Sequence, residues 1–121
     1  MKSIIEHKIS KIKDKNKKEL ADFCFNRMNG AKDLAANAKS KGGLAILTAY
    51  HFEAKLPVYK KIIDLISSGD DIGQKIKTMY TEKLSSLSQG LSHNQRKMQE
   101  LTGELEVLGE VYVKSRELKV K

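Results

Sequence analysis

The amino-acid sequence predicts an all-α protein, a helical bundle whose C-terminal helix carries a heptad pattern and is either long or folded into a hairpin. Apolar residues recur three or four positions apart along most of the chain, which is the spacing of a helix with one buried face. Strand-like alternation of apolar and polar residues occurs only at residues 105–113, inside a longer helical stripe. With 121 residues, 40% of them apolar, the chain fits a single domain that spans residues 1–121.

The first helical segments lie between residues 5 and 38. Ser3 and Glu6 are spaced as a capping box, in which a hydroxyl and a carboxylate satisfy free amides at the start of a helix. The apolar stripe that follows predicts either one long helix or two helices that divide near Asn16 or at residues 29–30.

The middle of the chain contains helix ends at glycine and proline. The glycine pair at 42–43 predicts a stop, and a second apolar stripe follows at residues 44–55. Pro57 is expected to end this helix or to kink it, since proline lacks the backbone donor that a helix interior needs. A short helix over residues 58–66 comes next. Residues 69–70 are expected to close it and to cap the following helix, with the aspartate of that pair as the N-cap.

The second half of the chain carries a heptad pattern over more than four repeats. Its members are spaced alternately four and three residues apart and all but one are apolar: Tyr80, Leu84, Leu87, Leu91, Asn94, Met98, Leu101, Leu105, Leu108 and Tyr112. This spacing is typical of helices that pair in a coiled coil, where a single polar member fixes the register. We therefore expect the stripe from Leu84 to Leu108 to mediate self-association, with an ordinary amphipathic bundle helix as the alternative.

The length of this segment separates two architectures. An unbroken helix over residues 71–118 would extend for about 70 Å, while a compact chain of this size has a radius of gyration of about 14 Å. Such a helix would need a partner, most simply a second copy. Alternatively the helix breaks at Gly90, with another capping box at residues 92–95, and two antiparallel helices at 71–89 and 93–118 close the bundle. The sequence permits both architectures.

Two glycines and a group of glutamates accompany the stripe. Gly103 and Gly109 lie off the seam, where a missing side chain would let another helix approach closely. Four glutamates and no basic residue lie between residues 100 and 110. This acidic patch is expected to pair with the N-terminal lysines, in the same chain or in another.

The positive charge of the chain is concentrated in its first half. Residues 1–61 form a basic half that accounts for the whole net charge of +8, and residues 70–118 form a nearly neutral, heptad-bearing half. The candidate partner-binding residues lie on one predicted helix face: Lys8, Lys11, Lys15 and Lys18. Lysines suit point-charge contact with an acidic protein or with nucleic-acid phosphates better than base readout. A solvated helix face is the simpler alternative.

Side chains that support catalysis or metal binding are sparse. The only cysteine, Cys24, lies on an apolar stripe where we expect core packing. The sequence contains no metal-ligand motif and no phosphate-binding loop, so we expect no metal, no cofactor and no catalytic site. The richest group of functional side chains lies beside Pro57, where Tyr50, His51 and Tyr59 form a candidate pocket.

These observations predict a non-enzymatic helical interaction protein. Its C-terminal stripe would self-associate, most simply as a homodimer, and its basic N-terminal face would contact an acidic partner. One alternative is a protein that binds nucleic-acid phosphates non-specifically through its lysine-rich N-terminal helix. The other is a small-ligand binder or an enzyme around His51. The sequence has no transmembrane segment and no signal-peptide pattern, so we expect a cytoplasmic location.

Overall fold

The structure, a computed structural model, describes residues 3–69, 71–88 and 94–120 of the chain. It contains five α-helices within those ranges: α1 (Ile4–Ser10), α2 (Lys15–Lys41), α3 (Ala45–Ser68), α4 (Ile72–Ser88) and α5 (Gln95–Glu117). No strand occurs in the described ranges, so the predicted all-α class is confirmed. In the same ranges, no helix is both long enough and apolar enough to cross a membrane.

The N-terminal apolar stripe forms two helices, α1 and α2, rather than one. The predicted capping box starts α1, because Ser3 Oγ accepts a hydrogen bond from the Glu6 amide at 3.2 Å and the reciprocal bond is also present. Asp14 starts α2, since its carboxylate accepts a hydrogen bond from the Lys17 amide at 3.0 Å. The division therefore lies near Asn16, as one alternative predicts, and α2 then continues without interruption to its end.

The helix α3 continues through Pro57, so the two helices predicted on either side of the proline form one helix. A helix end at Pro57 is thus not observed. Proline removes one backbone hydrogen bond, and burial of the side chains that follow offsets this cost, since Val58 and Tyr59 both lie in the core. At the end of α3, Gly69 adopts a left-handed conformation with φ of 80°, which is the predicted glycine C-cap.

Asp71 and Asn94 start the last two helices. Each side chain accepts a hydrogen bond from the amide three residues ahead, at 3.1 Å for Asp71 and 3.0 Å for Asn94. The N-cap predicted for α4, Asp70, lies outside the described residues. So do the predicted break at Gly90 and the capping serine predicted at Ser92.

Helices α4 and α5 pack side by side in opposite directions. Lys83 Nζ lies 2.6 Å from Glu104 Oε2, and Tyr80 packs beside Gly109. Tyr80 precedes Lys83 in α4, whereas Gly109 follows Glu104 in α5, so the two helices run in opposite directions. This antiparallel contact rules out the unbroken helix. The hairpinned alternative is the architecture that the chain adopts.

The four long helices lie in the spatial order α2, α3, α5, α4. Helices α2 and α3 form an antiparallel hairpin. Helices α3 and α5 run parallel, because His51 faces Thr102 and, two turns later, Tyr59 faces Glu110. Among the described residues, α4 contacts α3 and α5 but not α2, so one side of α5 stays open between α2 and α4.

The core lies where α2, α3, α4 and α5 meet. Its largest fully buried side chains come from all four helices: Leu20, Cys24, Tyr59, Ile62, Ile63, Ile72, Ile76, Val107, Leu108 and Val111. Complete burial of one such aliphatic side chain contributes about 1.5–3 kcal/mol. The predicted place of Cys24 in the core is confirmed.

Candidate functional site

The four candidate partner-binding lysines do not share one helix face. Lys8 belongs to α1 and Lys11 follows its end, while Lys15 and Lys18 belong to α2. The break between the two helices interrupts the spacing that would have aligned these side chains. Lys8 also forms an ion pair with Asp64 of α3, with a distance of 2.7 Å between Nζ and Oδ1.

Lysines nevertheless cluster at one end of the molecule. Lys11, Lys15 and Lys18 are exposed, and none of them forms an ion pair with another described residue. Because α2 and α3 are antiparallel, the start of α2 lies at the same end of the molecule as the end of α3 and the start of α4, and the start of α4 carries the exposed Lys75. We call this surface the basic end. The excess of positive charge in the first half of the sequence therefore contributes to one surface of the folded protein.

The glutamates of α5 pair with cations other than the N-terminal lysines. The observed pairs are Glu100 with Arg96, Glu104 with Lys83, Glu106 with Lys55 and His51, and Glu110 with Arg27. Among the described residues, none of the four N-terminal lysines forms an ion pair with these carboxylates. The predicted pairing within one chain is therefore absent from the described residues.

Polar side chains one turn apart join α3 to α5, and we call this arrangement the polar ladder. Lys55 Nζ donates a hydrogen bond to Glu106 Oε1 at 2.8 Å, and Tyr59 OH donates one to Glu110 Oε1 at 3.2 Å. His51 Nε2 lies 3.1 Å from the second oxygen of Glu106. Since each side chain of α3 meets its own level of α5, the polar ladder fixes the parallel register of the two helices.

Burial and charge set the protonation states around the polar ladder. The hydrogen bond from Lys55 lowers the pKa of Glu106 below its ordinary value of 4.5, so this side chain is a carboxylate near neutral pH. Burial raises the pKa of Tyr59, which keeps its proton and acts as a donor. Burial also raises the pKa of the Cys24 thiol to about 12, so the thiol is a poor nucleophile. These groups therefore favour a structural role.

The three residues of the candidate pocket, Tyr50, His51 and Tyr59, do not line a common cavity. Tyr59 lines a cavity of about 400 Å³ between α2, α3 and α5, and neither Tyr50 nor His51 contributes to its walls. The Arg96 guanidinium covers the ring of Tyr50, at 4.3 Å from the ring centroid. In the ranges that the structure describes, no group of carboxylate, imidazole or thiol side chains could hold a metal ion.

The heptad stripe is split between the interior and the surface. Leu101 and Leu108 are buried within the chain's own core, while Leu84 is exposed. Asn94 is an exposed N-cap and so does not act as the single polar member of a buried seam. The members between these extremes are partly buried: Leu87, Met98, Leu105 and Tyr112. Leu91 lies outside the described residues.

The exposed part of the stripe contributes to an apolar surface on the α4–α5 hairpin. We call it the outer face and define it by Tyr80, Leu84, Gly109, Tyr112 and Val113. Tyr80, Leu84 and Val113 are 38%, 46% and 57% exposed. A groove of about 330 Å³ runs along it between the two helices, and Lys77 is the one charged side chain among the described residues that line it. At the end of the groove, Arg116 Nη1 donates a hydrogen bond to Tyr112 OH at 3.3 Å. This bond lowers the pKa of Tyr112.

Sequence reasoning located the stripe but not the outer face. Val113 is not a heptad position, and its only sequence signal is that it follows Gly109 by four residues, which places both on one side of a helix. Which heptad members face outward depends on where α3 packs, and that contact is long-range.

No family model, no curated protein and no solved structure matches this chain.

Proposed function

We propose that this chain is a non-enzymatic, cytoplasmic helical interaction protein that self-associates through the outer face of its α4–α5 hairpin. The observation that carries the proposal is the exposure of three large apolar side chains on the α4–α5 hairpin. Tyr80 and Val113 line one groove, and Leu84 lies one helical turn beyond Tyr80. Contiguous apolar surface of this kind marks interaction sites, because exposing it to water is unfavourable. The free, buried thiol of Cys24 suits a reducing compartment.

A second copy of the chain is the simplest occupant of the outer face. In a two-fold dimer the same patch serves both partners, so an apolar face meets an apolar face and few charges are buried. The heptad spacing also continues beyond the members that the chain buries within itself, which is typical of helices that pair with helices.

Net charge predicts how such a dimer responds to salt. Each copy carries +8, so two copies repel each other at long range. Salt screens this repulsion, since the screening length falls from about 30 Å at 0.01 M to about 10 Å at 0.1 M. Self-association through an apolar face should therefore strengthen as salt increases.

Sedimentation velocity on Leu84→Lys tests the proposal. The substitution places a charge on the outer face, one helical turn from Tyr80, and should weaken self-association by about tenfold or more. Leu44→Lys is the matched control, because Leu44 is an exposed leucine, at 86%, that lies outside the outer face. Equal self-association of Leu84→Lys and the wild type would show that another surface forms the contact.

The basic end supports a second candidate function, the binding of an acidic partner, for which nucleic-acid phosphates are the candidate ligand. Lys11, Lys15 and Lys18 are exposed and lack ion pairs to described residues, and Lys75 lies at the same end. Lysine clusters of this kind bind the phosphate backbone without reading sequence, and the affinity falls steeply with salt. The salt response is thus opposite in sign to that of self-association.

Charge reversal tests this second candidate. The triple variant Lys11→Glu, Lys15→Glu, Lys18→Glu should lose DNA and RNA binding in a mobility-shift assay at about 50 mM salt. The matched control reverses three exposed lysines away from the basic end, Lys32, Lys41 and Lys97. Absence of binding by the wild-type protein under these conditions would end this candidate.

A further inference from the structure

Most of the side chains that line the cavity between α2, α3 and α5 are charged or polar, and we call it the charged cavity. Its floor contains Lys55 and Tyr59 of α3, one wall carries Arg27 of α2, and the opposite wall carries Glu106 and Glu110 of α5. The space stays open because α2 and α5 flank α3 and make few contacts with each other. Its volume of about 400 Å³ lies near the lower end of the range for small-molecule sites, about 300–1,000 Å³.

The four charged groups of this cavity differ in how completely the chain itself pairs them. Lys55 Nζ lies 2.8 Å from one oxygen of Glu106, and His51 faces the other oxygen. Arg27 Nε lies 3.5 Å from Glu110 Oε1, which is an ion pair without a hydrogen bond. Towards the described residues, the Arg27 guanidinium donates no hydrogen bond and Glu110 Oε2 accepts none. A cation and an anion on opposite walls thus keep unused hydrogen-bonding capacity.

The helix directions place an apolar end opposite this charged end. Because α2 runs antiparallel to α3, Arg27 lies towards Tyr59 and Leu34 lies towards Phe52. Leu34 is 50% exposed and Phe52 is only partly buried, although both side chains are large and apolar. The charged cavity therefore has a pair of opposite charges at one end and uncovered apolar surface at the other.

We infer that the charged cavity binds a free amino acid with an apolar side chain. The ligand's ammonium pairs with Glu110, its carboxylate pairs with Arg27, and its side chain covers Leu34 and Phe52. An anion alone would face the carboxylates of α5, and a cation alone would face Arg27, so only a ligand that carries both charges suits both walls. The polar ladder keeps its structural role, because the ligand uses the oxygen of Glu110 that Tyr59 leaves unoccupied.

Titration of the isotope-labelled chain with L-leucine, followed by amide NMR shifts, is the first test. L-leucine should bind saturably with a dissociation constant below about 1 mM. Isoamylamine lacks the carboxylate, isocaproic acid lacks the ammonium and free glycine lacks the apolar side chain, so each should bind at least about tenfold more weakly. Absence of saturable shifts at about 10 mM L-leucine, or equal affinity for any one of the three analogues, would overturn the inference.

The variant Arg27→Gln distinguishes recognition of the carboxylate from a change in the fold. The affinity for L-leucine should fall about tenfold, while the affinity for isoamylamine should not decrease, because the amine has no carboxylate to lose. Arg96→Gln is the matched control, since Arg96 is similarly exposed and pairs with Glu100 outside the cavity. An equal loss of affinity for both ligands, or no loss for either, would contradict the inference.

The variant Gly30→Leu tests the location of the ligand. Gly30 is exposed, lines the charged cavity and has no atom within 4 Å of its Cβ position, so a larger side chain fits there and occupies part of the cavity. This variant should fold as the wild type does and lose L-leucine binding. Asn29→Leu is the matched control, because the adjacent Asn29 is exposed and does not line the cavity. Wild-type affinity in Gly30→Leu would show that the ligand binds elsewhere and would overturn the inference.

The inference stands apart from the proposed self-association, because no residue that defines the outer face lines the charged cavity. Leu84→Lys should therefore bind L-leucine as the wild type does, even where it loses self-association. A chain that binds L-leucine but stays monomeric would contradict the proposed function alone. A chain that self-associates but binds no L-leucine would contradict the inference alone.

Discussion

At Gly103, the absence of a side chain decides how closely two helices pack. The backbone carbonyl of His51 occupies the space that a Cβ atom at this position would need. The contact lies within the polar ladder, where the His51 ring faces Thr102 and Glu106. A larger residue at Gly103 would therefore separate α3 from α5 and lengthen several hydrogen bonds together.

Gly103→Ala should consequently lower the free energy of unfolding. Overpacking at such a contact costs about 1–3 kcal/mol, which exceeds the helix-propensity gain of about 1 kcal/mol from replacing glycine by alanine. Gly30→Ala is the control and should stabilise the protein, because its Cβ meets open space. Urea unfolding followed by circular dichroism, at one protein concentration, measures both. Equal stabilisation by the two substitutions would contradict the close contact.

Glu106 links the stability of the protein to pH. Its carboxylate accepts the hydrogen bond of Lys55, whose side chain is only 9% exposed, and this bond lowers the pKa of Glu106 below 4.5. A carboxyl group whose pKa is lower in the folded state contributes stability above its unfolded pKa. That contribution is lost as the pH falls through the folded pKa.

Glu106→Gln should therefore remove part of the acid sensitivity of the fold. The wild type should lose its stability advantage over the variant as the pH falls below 4.5, and keep the full advantage near neutral pH. Glu82→Gln serves as a control, since Glu82 is exposed and outside the polar ladder. Parallel pH profiles of unfolding for the wild type and Glu106→Gln would show that the ion pair adds no pH-dependent stability.

At the level of elements, local signals predicted helix ends better than helix interiors. The capping box at Ser3 and the glycine C-cap at Gly69 were predicted because each motif satisfies backbone groups within a few residues. Pro57 was expected either to end a helix or to kink it. The helix end is ruled out, because α3 continues through Pro57, where burial of the neighbouring side chains outweighs one lost hydrogen bond. Helix propensity depends on residues that are close in the sequence, whereas the burial of a side chain depends on helices that are distant in the sequence.

Asn94 illustrates an ambiguity between two element-level patterns. In the heptad pattern it is the polar member of a buried seam, whereas in the structure it caps α5 by accepting a hydrogen bond from the Lys97 amide at 3.0 Å. The two roles differ in the substitution that they tolerate. A buried seam position gains stability from an apolar side chain, while a cap loses a hydrogen bond.

Asn94→Ala and Asn94→Leu should both destabilise the protein, by about 1 kcal/mol, because either one removes the N-cap of α5. Asn29→Ala is the matched control, since Asn29 is exposed within α2 and caps no helix. Thermal unfolding measures the difference. A more stable Asn94→Leu protein would favour the buried seam over the cap.

At the scale of the whole molecule, the fold separates two surfaces with different chemistry. The basic end collects lysines from the segment before α2 and from the starts of α2 and α4, and the outer face collects apolar side chains from α4 and α5. The uneven charge and the heptad stripe of the sequence predicted which side chains would form the two surfaces. The sequence did not predict their positions, because the break between α1 and α2 separates Lys8 from Lys15, and the packing of α3 selects which stripe members are buried.

Light-scattering mass on size-exclusion chromatography tests the central claim, that the outer face is a self-association surface. A monomer has a mass of 13.6 kDa. We predict a mass of twice this value, with a larger dimer fraction at about 500 mM salt than at about 50 mM, because salt screens the repulsion between two positively charged copies. A mass of 13.6 kDa at both salt concentrations and at every protein concentration would contradict the claim.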